Sequence, residues 1–275
     1  VSQMDPAEFL CGGSTPIGSL TGGLLERLRH DGFRNRVSDH EGTSTSATDF
    51  AETVQQAATG LSRRGLRPDD VLAVLAPVST DRLTGIYTAM AVGGIALPLE
   101  LTSDIDTLAE VLVETDARMI MVSPELASLA LVLSERSRVR QVVAFGSAEE
   151  TTPFDELLRP TRSRSAYDPT HGLFNSGLLG YAALPGGRLR TVTHSYRDLM
   201  GHFRRLCTEL NPTPTDVVAI ENGMTEFDRC VLAAVALWRG ASVVALAPGE
   251  NAATGAELAH AEATIRGYPF PCRIH

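Results

Sequence analysis

Asp70-Val71-Leu72-Ala73-Val74-Leu75-Ala76, a helical stretch from Asp81 to Val92, and then Gly93-Gly94-Ile95-Ala96-Leu97-Pro98 decide the fold. Val71 to Ala76 is apolar at every position. A strand that shows no polar face is one covered on both faces, the habit of parallel sheets flanked by helices. The helix after it ends at a glycine pair, where a residue without Cβ takes the left-handed cap. The same unit then repeats. Ser103 to Thr115 reads as a helix capped by Ser103 or Asp104, Arg118 to Val122 as a strand, Pro124 to Ser134 as a helix with proline in its tolerated first turn, and Val139 to Phe145 as a strand. Regular alternation of apolar strands and helices predicts an α/β fold with a doubly wound, mostly parallel sheet.

Towards the N-terminus, Thr48 or Asp49 can cap a helix through Leu61 whose Phe50, Val54, Ala57, Ala58 and Leu61 share one face. Leu20 to Leu28 reads as a short helix ended by the turn His30-Asp31-Gly32, and residues 1–20 as a loose Gly/Ser/Pro-rich leader. Towards the C-terminus, Gly146 to Pro169 is polar and reads as a surface connection. Gly172-Leu173-Phe174-Asn175-Ser176-Gly177-Leu178-Leu179-Gly180 follows as a short apolar strand and a small-residue turn. A connecting arm leads to Thr193-His194 and to a helix from Ser195 to Leu210. Strands are expected at Asp216–Ile220 and Ala241–Leu246, and helices at Phe227–Trp238 and Ala252–Ile265. The division this predicts is a leader with a short helix over 1–50, a first lobe over 51–200 and an incomplete second lobe over 201–275, which the N-terminal segment is a candidate to join.

The 275 residues carry a net charge of −9, which argues against a nucleic-acid surface. All 24 basic residues are arginine, so no lysine is present for a Schiff base, a phosphate loop or charge neutralisation. Cys11, Cys207, Cys230 and Cys272 form no C-x-x-C pair and the histidines lack ligand spacing, so no metal site is expected. No apolar run is long enough for a membrane span and the first residues have no basic signal region, so a cytoplasmic protein is expected. Neither a G-x-S-x-G elbow nor H-E-x-x-H occurs, and no catalytic residue is assigned.

The loop layout around Ser176 suits phosphate held by backbone N–H groups. With the strand, helix, glycine pair and strand from Asp70 to Pro98, it resembles the acyl-adenylate-forming enzymes: acyl-CoA synthetases, aryl-CoA ligases and peptide-synthetase adenylation domains. Their motif is Ser-Gly-Thr-Thr-Gly, then Pro-Lys-Gly-Val and Thr-His. This chain keeps Ser176, Gly177, Gly180, Thr193 and His194, has Leu178 and Leu179 in place of the threonines, and offers Arg188 or Arg190 where the lysine is missing. The resemblance thus marks Ser176, Gly177, Gly180, Arg188, Arg190, Thr193 and His194 as cofactor-binding candidates, while the same glycines also suit a hairpin that merely joins strand to helix. ATP or AMP with Mg is what the family would bind; the altered motif leaves the cofactor unassigned. The family's Pro-x-x-His segment near the acyl pocket falls on Ile220–Glu226. Met224 stands in for the histidine there, and Glu221 and Glu226 would repel a carboxylate. Gly223-Met224-Thr225-Glu226 spells a later family motif but falls too early in the chain, and reads as coincidence.

The resemblance runs from about 20 to 265 and covers the opening half of a full family member. It implies a truncated homologue unable to adenylate an acid alone, acting as a binding or regulatory partner. The alternatives are half of a split enzyme completed by another chain, or a fragment of an active acyl-CoA ligase. A second sheet cut short would expose a strand edge, so a homodimer or a protein partner is expected over it.

Overall fold

The structure, a computed structural model, describes residues 20–30, 34–159, 176–184, 188–247 and 265–266. Helix α1 (Leu20–His30) leads into strands β1 (Arg36–Asp39) and β2 (Ser44–Ser46) and helix α2 (Ala47–Arg63). The alternation read from the sequence then appears: β3 (Val71–Leu75), α3 (Thr80–Ala91), β4 (Ile95–Pro98), α4 (Ile105–Glu114), β5 (Met119–Val122), a 3-10 turn with α5 (Ala127–Glu135), and β6 (Gln141–Ala144). Strand β7 (Thr152–Pro153) and α6 (Asp155–Leu158) come next. After them lie β8 (Ser176–Leu184), β9 (Arg188–Ser195), α7 (Tyr196–Leu210), β10 (Val217–Ile220), α8 (Glu226–Trp238), β11 (Ser242–Ala245) and β12 (Ile265–Arg266).

Caps explain where the helices begin. Ser46, not Thr48 or Asp49, caps α2: its hydroxyl accepts the Asp49 N–H at 3.0 Å, while Thr48 donates to the carbonyl of Leu28. Asp104 caps α4, and Ser195 with Asp198 forms a capping box on α7. Gly93 takes a φ of 82° after α3, the left-handed stop expected of the glycine pair.

A seven-stranded sheet has the order β7-β6-β5-β3-β4-β8-β9, parallel except where β9 turns back on β8. A five-stranded sheet, β12-β10-β11-β1-β2, is parallel except at β2. One continuous core joins Leu72, Val74 and Met121 of the first sheet to Val218, Ile220 and Val243 of the second through α1, α2, α3, α7 and α8. Two of these helices are enclosed on nearly all sides: α8 is buried at every position from Arg229 to Trp238, and α3 at every position but Asp81. A second core lies on the other face of the large sheet, under α4 and α5.

The stretch Gly146–Pro169, read as surface connection, contributes β7 to the sheet edge and buries Phe154 and Leu157. A Cβ on Gly60 would overlap the backbone of Leu157, so that glycine lets α6 seat on α2. Ile265, expected to end a helix, pairs as a strand with Val217. The rest of the Ala252–Ile265 helix, the leader before residue 20, residues 31–33, residues 160–169 and Gly172–Asn175 lie outside the described residues.

Candidate functional site

Ser176 to Gly180 is strand, where a small-residue turn was expected. β8 and β9 form one long hairpin in the register Ser176↔Ser195, Leu178↔His194, Leu179↔Thr193, Gly180↔Val192, Ala182↔Arg190 and Leu184↔Arg188. Backbone groups engaged in a ladder are not free to wrap an anion. The reason for strand is side-chain burial. Leu178 is 1% exposed in the core between the sheets and Leu179 is 8% exposed in the core under α4 and α5, the two-sided burial of a strand.

The register groups the candidate residues and also separates them. Ser176, Gly177, Thr193 and His194 gather at the base of the hairpin, with Gly180 just above. Arg188 pairs at the far end, roughly 25 Å from Ser176 at the rise of an extended chain. Arg190 is exposed, four residues along the strand from His194. β8 runs parallel to β4 with Leu178 beside Ala96, and the Tyr181 hydroxyl accepts the Glu100 N–H at 2.8 Å. The hairpin therefore extends past the carboxyl end of β4, the pole where open α/β sheets receive ligands. Its tip, residues 185–187, lies outside the described residues.

Gly177 has a packing reason. It sits at a register irregularity in β8, and a Cβ there would come within 2.9 Å of Leu199 Cδ1 and 3.0 Å of the Tyr196 ring. That ring is pinned by its hydroxyl, which donates to the carbonyls of Gly94 at 2.8 Å and Met90 at 3.1 Å. A Cβ at Gly180 would meet nothing closer than 3.9 Å.

His194 is half-buried and stacks on Phe227 with ring centres 4.3 Å apart; Phe227 also stacks with His202 at 4.9 Å. Burial lowers the His194 pKa, outweighing the pull of Asp198 and Asp228. His202 Nδ1 lies 2.8 Å from an Arg205 nitrogen and Nε2 lies 3.1 Å from Asp228 Oδ1. Guanidinium can only donate, so Nδ1 accepts and Nε2 carries the proton that Asp228 receives. That hydrogen bond is the main reason the Asp228 carboxyl is held below its usual range.

Glu226 is not a free charge beside a pocket. Arg82 gives it Nε–H and Nη2–H at 2.8 and 2.7 Å, and Arg229 gives it Nε–H at 3.2 Å and Nη2–H at 2.9 Å. The remaining terminal nitrogen of Arg82 donates to the carbonyls of Ala76 and Leu99, and that of Arg229 to those of Glu221 and Asn222. Burial would raise the Glu226 carboxyl, but the two cations and their hydrogen bonds outweigh it and bring it down to about 2. Thr225 caps α8, accepting the Asp228 N–H, so Gly223-Met224-Thr225-Glu226 is a helix start in this fold. Met224 packs, half-buried, against the core. Sequence reasoning missed Arg82 and Arg229. Their signal was a charged residue inside an otherwise apolar helix, which needs a buried partner.

Among the described residues no His, Cys, Asp and Glu cluster is suited to a metal, and no helix is long and apolar enough to cross a membrane.

A family model described as AMP-binding enzyme matches residues 28–220. Cyclosporin synthetase simA from Tolypocladium inflatum is 25% identical over 147 residues, 52% of this chain and 1% of its own length. A long-chain-fatty-acid-CoA ligase (FadD1) from Archaeoglobus fulgidus superposes with a TM-score of 0.74 at 19% identity, covering 89% of this chain and 50% of its own. Apo MatB from Rhodopseudomonas palustris superposes at 0.71 with 18% identity, covering 87% and 47%. At these identities the likeness is one of fold. The chain spans about half the length of these solved relatives.

Proposed function

Since this chain belongs to the AMP-binding enzyme family, we propose that it presents the N-terminal lobe of an acyl-activating fold as a binding or regulatory module and does not itself join a carboxylic acid to AMP. The observation that carries this reading is the fate of Leu178 and Leu179. They stand where the resemblance puts two phosphate-binding threonines, and both are sealed into hydrophobic core on opposite faces of β8. Adenylation depends on positive groups and hydrogen-bond donors held around the transferring phosphate. This sequence has no lysine to supply one, and Arg190 on the exposed hairpin is the cation within the described part of it whose side chain reaches solvent. Arginine brings a planar fork in place of a point charge, suited to holding a phosphate.

The test is calorimetric titration of the purified chain with ATP–Mg, AMP and CoA, together with an assay for acid-dependent AMP formation. The expected result is no AMP formed over a panel of fatty, aryl and amino acids. Acid-dependent AMP from the pure chain overturns the reading. A homodimer or a protein partner, and a cytoplasmic setting, belong to the same proposal; a monodisperse monomer in light scattering would remove the homodimer.

A second reading follows from relatives about twice as long as this chain. Here the lobe works with a further segment, in the same polypeptide or another, that brings the missing cation. Activity that appears only when such a segment is added would favour it.

A further inference from the structure

At the amino ends of β3, β5 and β6, the pole of the large sheet opposite the hairpin tip, lies a cleft of about 800 Å³. Arg64, Arg67, Arg118 and Arg140 line it, with Gln141, Thr151 and Thr152 as neutral polar groups and Asp70 and Glu150 as carboxylates. The four arginines come from three segments: the connection from α2 to β3, which carries Arg64 and Arg67, and the residues entering β5 and β6.

Their arrangement concentrates positive charge at one end of the sheet. Met119 pairs with Gln141, and the Arg140 N–H donates to the Arg118 carbonyl at 2.9 Å, so Arg118 and Arg140 stand opposite each other where β5 and β6 begin. Neighbouring strands lie about 4.8 Å apart, so the two side chains leave the sheet side by side. Asp116 pairs with Arg118 at 2.7 Å and Glu156 with Arg64 at 2.7 Å. Among the described residues no carboxylate pairs with the guanidinium of Arg67 or Arg140. Each guanidinium offers five N–H donors in a fork that fits phosphate oxygens. A volume near 800 Å³ is that of a small-molecule site, and a lining so polar excludes an apolar ligand.

We propose that this cleft binds a small diphosphate-bearing molecule, of the class that nucleoside diphosphates represent. Arg67, Arg118 and Arg140 hold the diphosphate, while Thr151, Thr152, Gln141 and the Asp70 and Glu150 carboxylates meet a hydroxyl-rich remainder. The site is independent of the hairpin and of the function proposed above.

The experiment is calorimetric titration of the full chain with inorganic pyrophosphate, repeated with the double variant R67S/R140S and with R190S on the hairpin. Both arginines of the double variant are exposed, and its melting temperature is checked against wild type. The expected result is saturable binding that weakens as salt is raised, falls at least about tenfold in R67S/R140S, and is unchanged in R190S. Absence of saturable heat with wild type overturns the proposal, as does equal affinity in R67S/R140S. Loss of binding in R190S but not in the double variant also overturns it, since it would place the anion on the hairpin.

Discussion

Arg82 and Arg229 lie between the two sheets with each guanidinium nitrogen bonded to a carboxylate or a carbonyl, whereas Arg67 and Arg140 lie at the other pole of the large sheet without a carboxylate among the described residues. The first pair is 4% and 3% exposed; the second is exposed. The same side chain has opposite uses in the two places. A buried cation persists only with its donors satisfied, so it becomes part of the frame. An exposed cation tolerates missing partners because water supplies them, and it keeps its capacity for a ligand. Charge in a cleft counts as a binding signal where that capacity is unspent, and the Arg82–Glu226–Arg229 group fails that test despite lying at the ligand-bearing pole.

Glu226→Ala gives the largest effect and would break the comparison if it did not. It leaves two buried guanidinium groups without their carboxylate, and such losses cost about 3–5 kcal/mol; urea denaturation reads this directly. A loss near zero would mean that the seam admits water and that the two sites are alike.

Acid sharpens the same point. The Glu226 carboxyl sits at about 2 in the fold against an ordinary 4.5. A depressed carboxyl contributes its full stability above about pH 4.5, and that contribution is lost as pH falls through about 2. Wild type should therefore lose stability across this window more steeply than E226Q, measured as the urea midpoint at successive pH values. Parallel curves would refute the pairing.

Gly177→Ala comes next, at about 1–3 kcal/mol. The added Cβ meets Leu199, whose end can shift, and Tyr196, whose ring is tied to Met90 and Gly94. A thermal melt equal to wild type would show that this glycine is not there for packing, and would return it to the list of loop residues. R67S/R140S should be smallest, within about 0.5 kcal/mol of wild type. A larger loss would show that the cleft arginines are structural like the buried pair.

Most of the stretch from Val71 to Ala144 was legible because its signals are local. The apolar run Val71–Leu75, the left-handed Gly93 and the caps Asp104 and Ser195 each act within a few residues of themselves. The hairpin, one of the two alternatives its glycines offered, was legible only in part. Ser176-Gly177-Leu178-Leu179-Gly180 has the composition of a turn, and only the ladder to β9 and the burial of both leucines turn it into strand. β1 and β2 are short and polar and exist through pairing with β11 and with each other.

The α/β class, the order of strands and helices from Val71 to Ala144, and a lack of lysine that limits phosphate chemistry can all be read along the chain. Which charges are already paired and which are available depends on how distant segments pack. Arg82 and Glu226 are 144 residues apart, and Arg67, Arg118 and Arg140 come from different crossovers. Periodicity and caps report on neighbours along the chain, while the pairing of charges depends on which distant segments the packed sheets bring into reach.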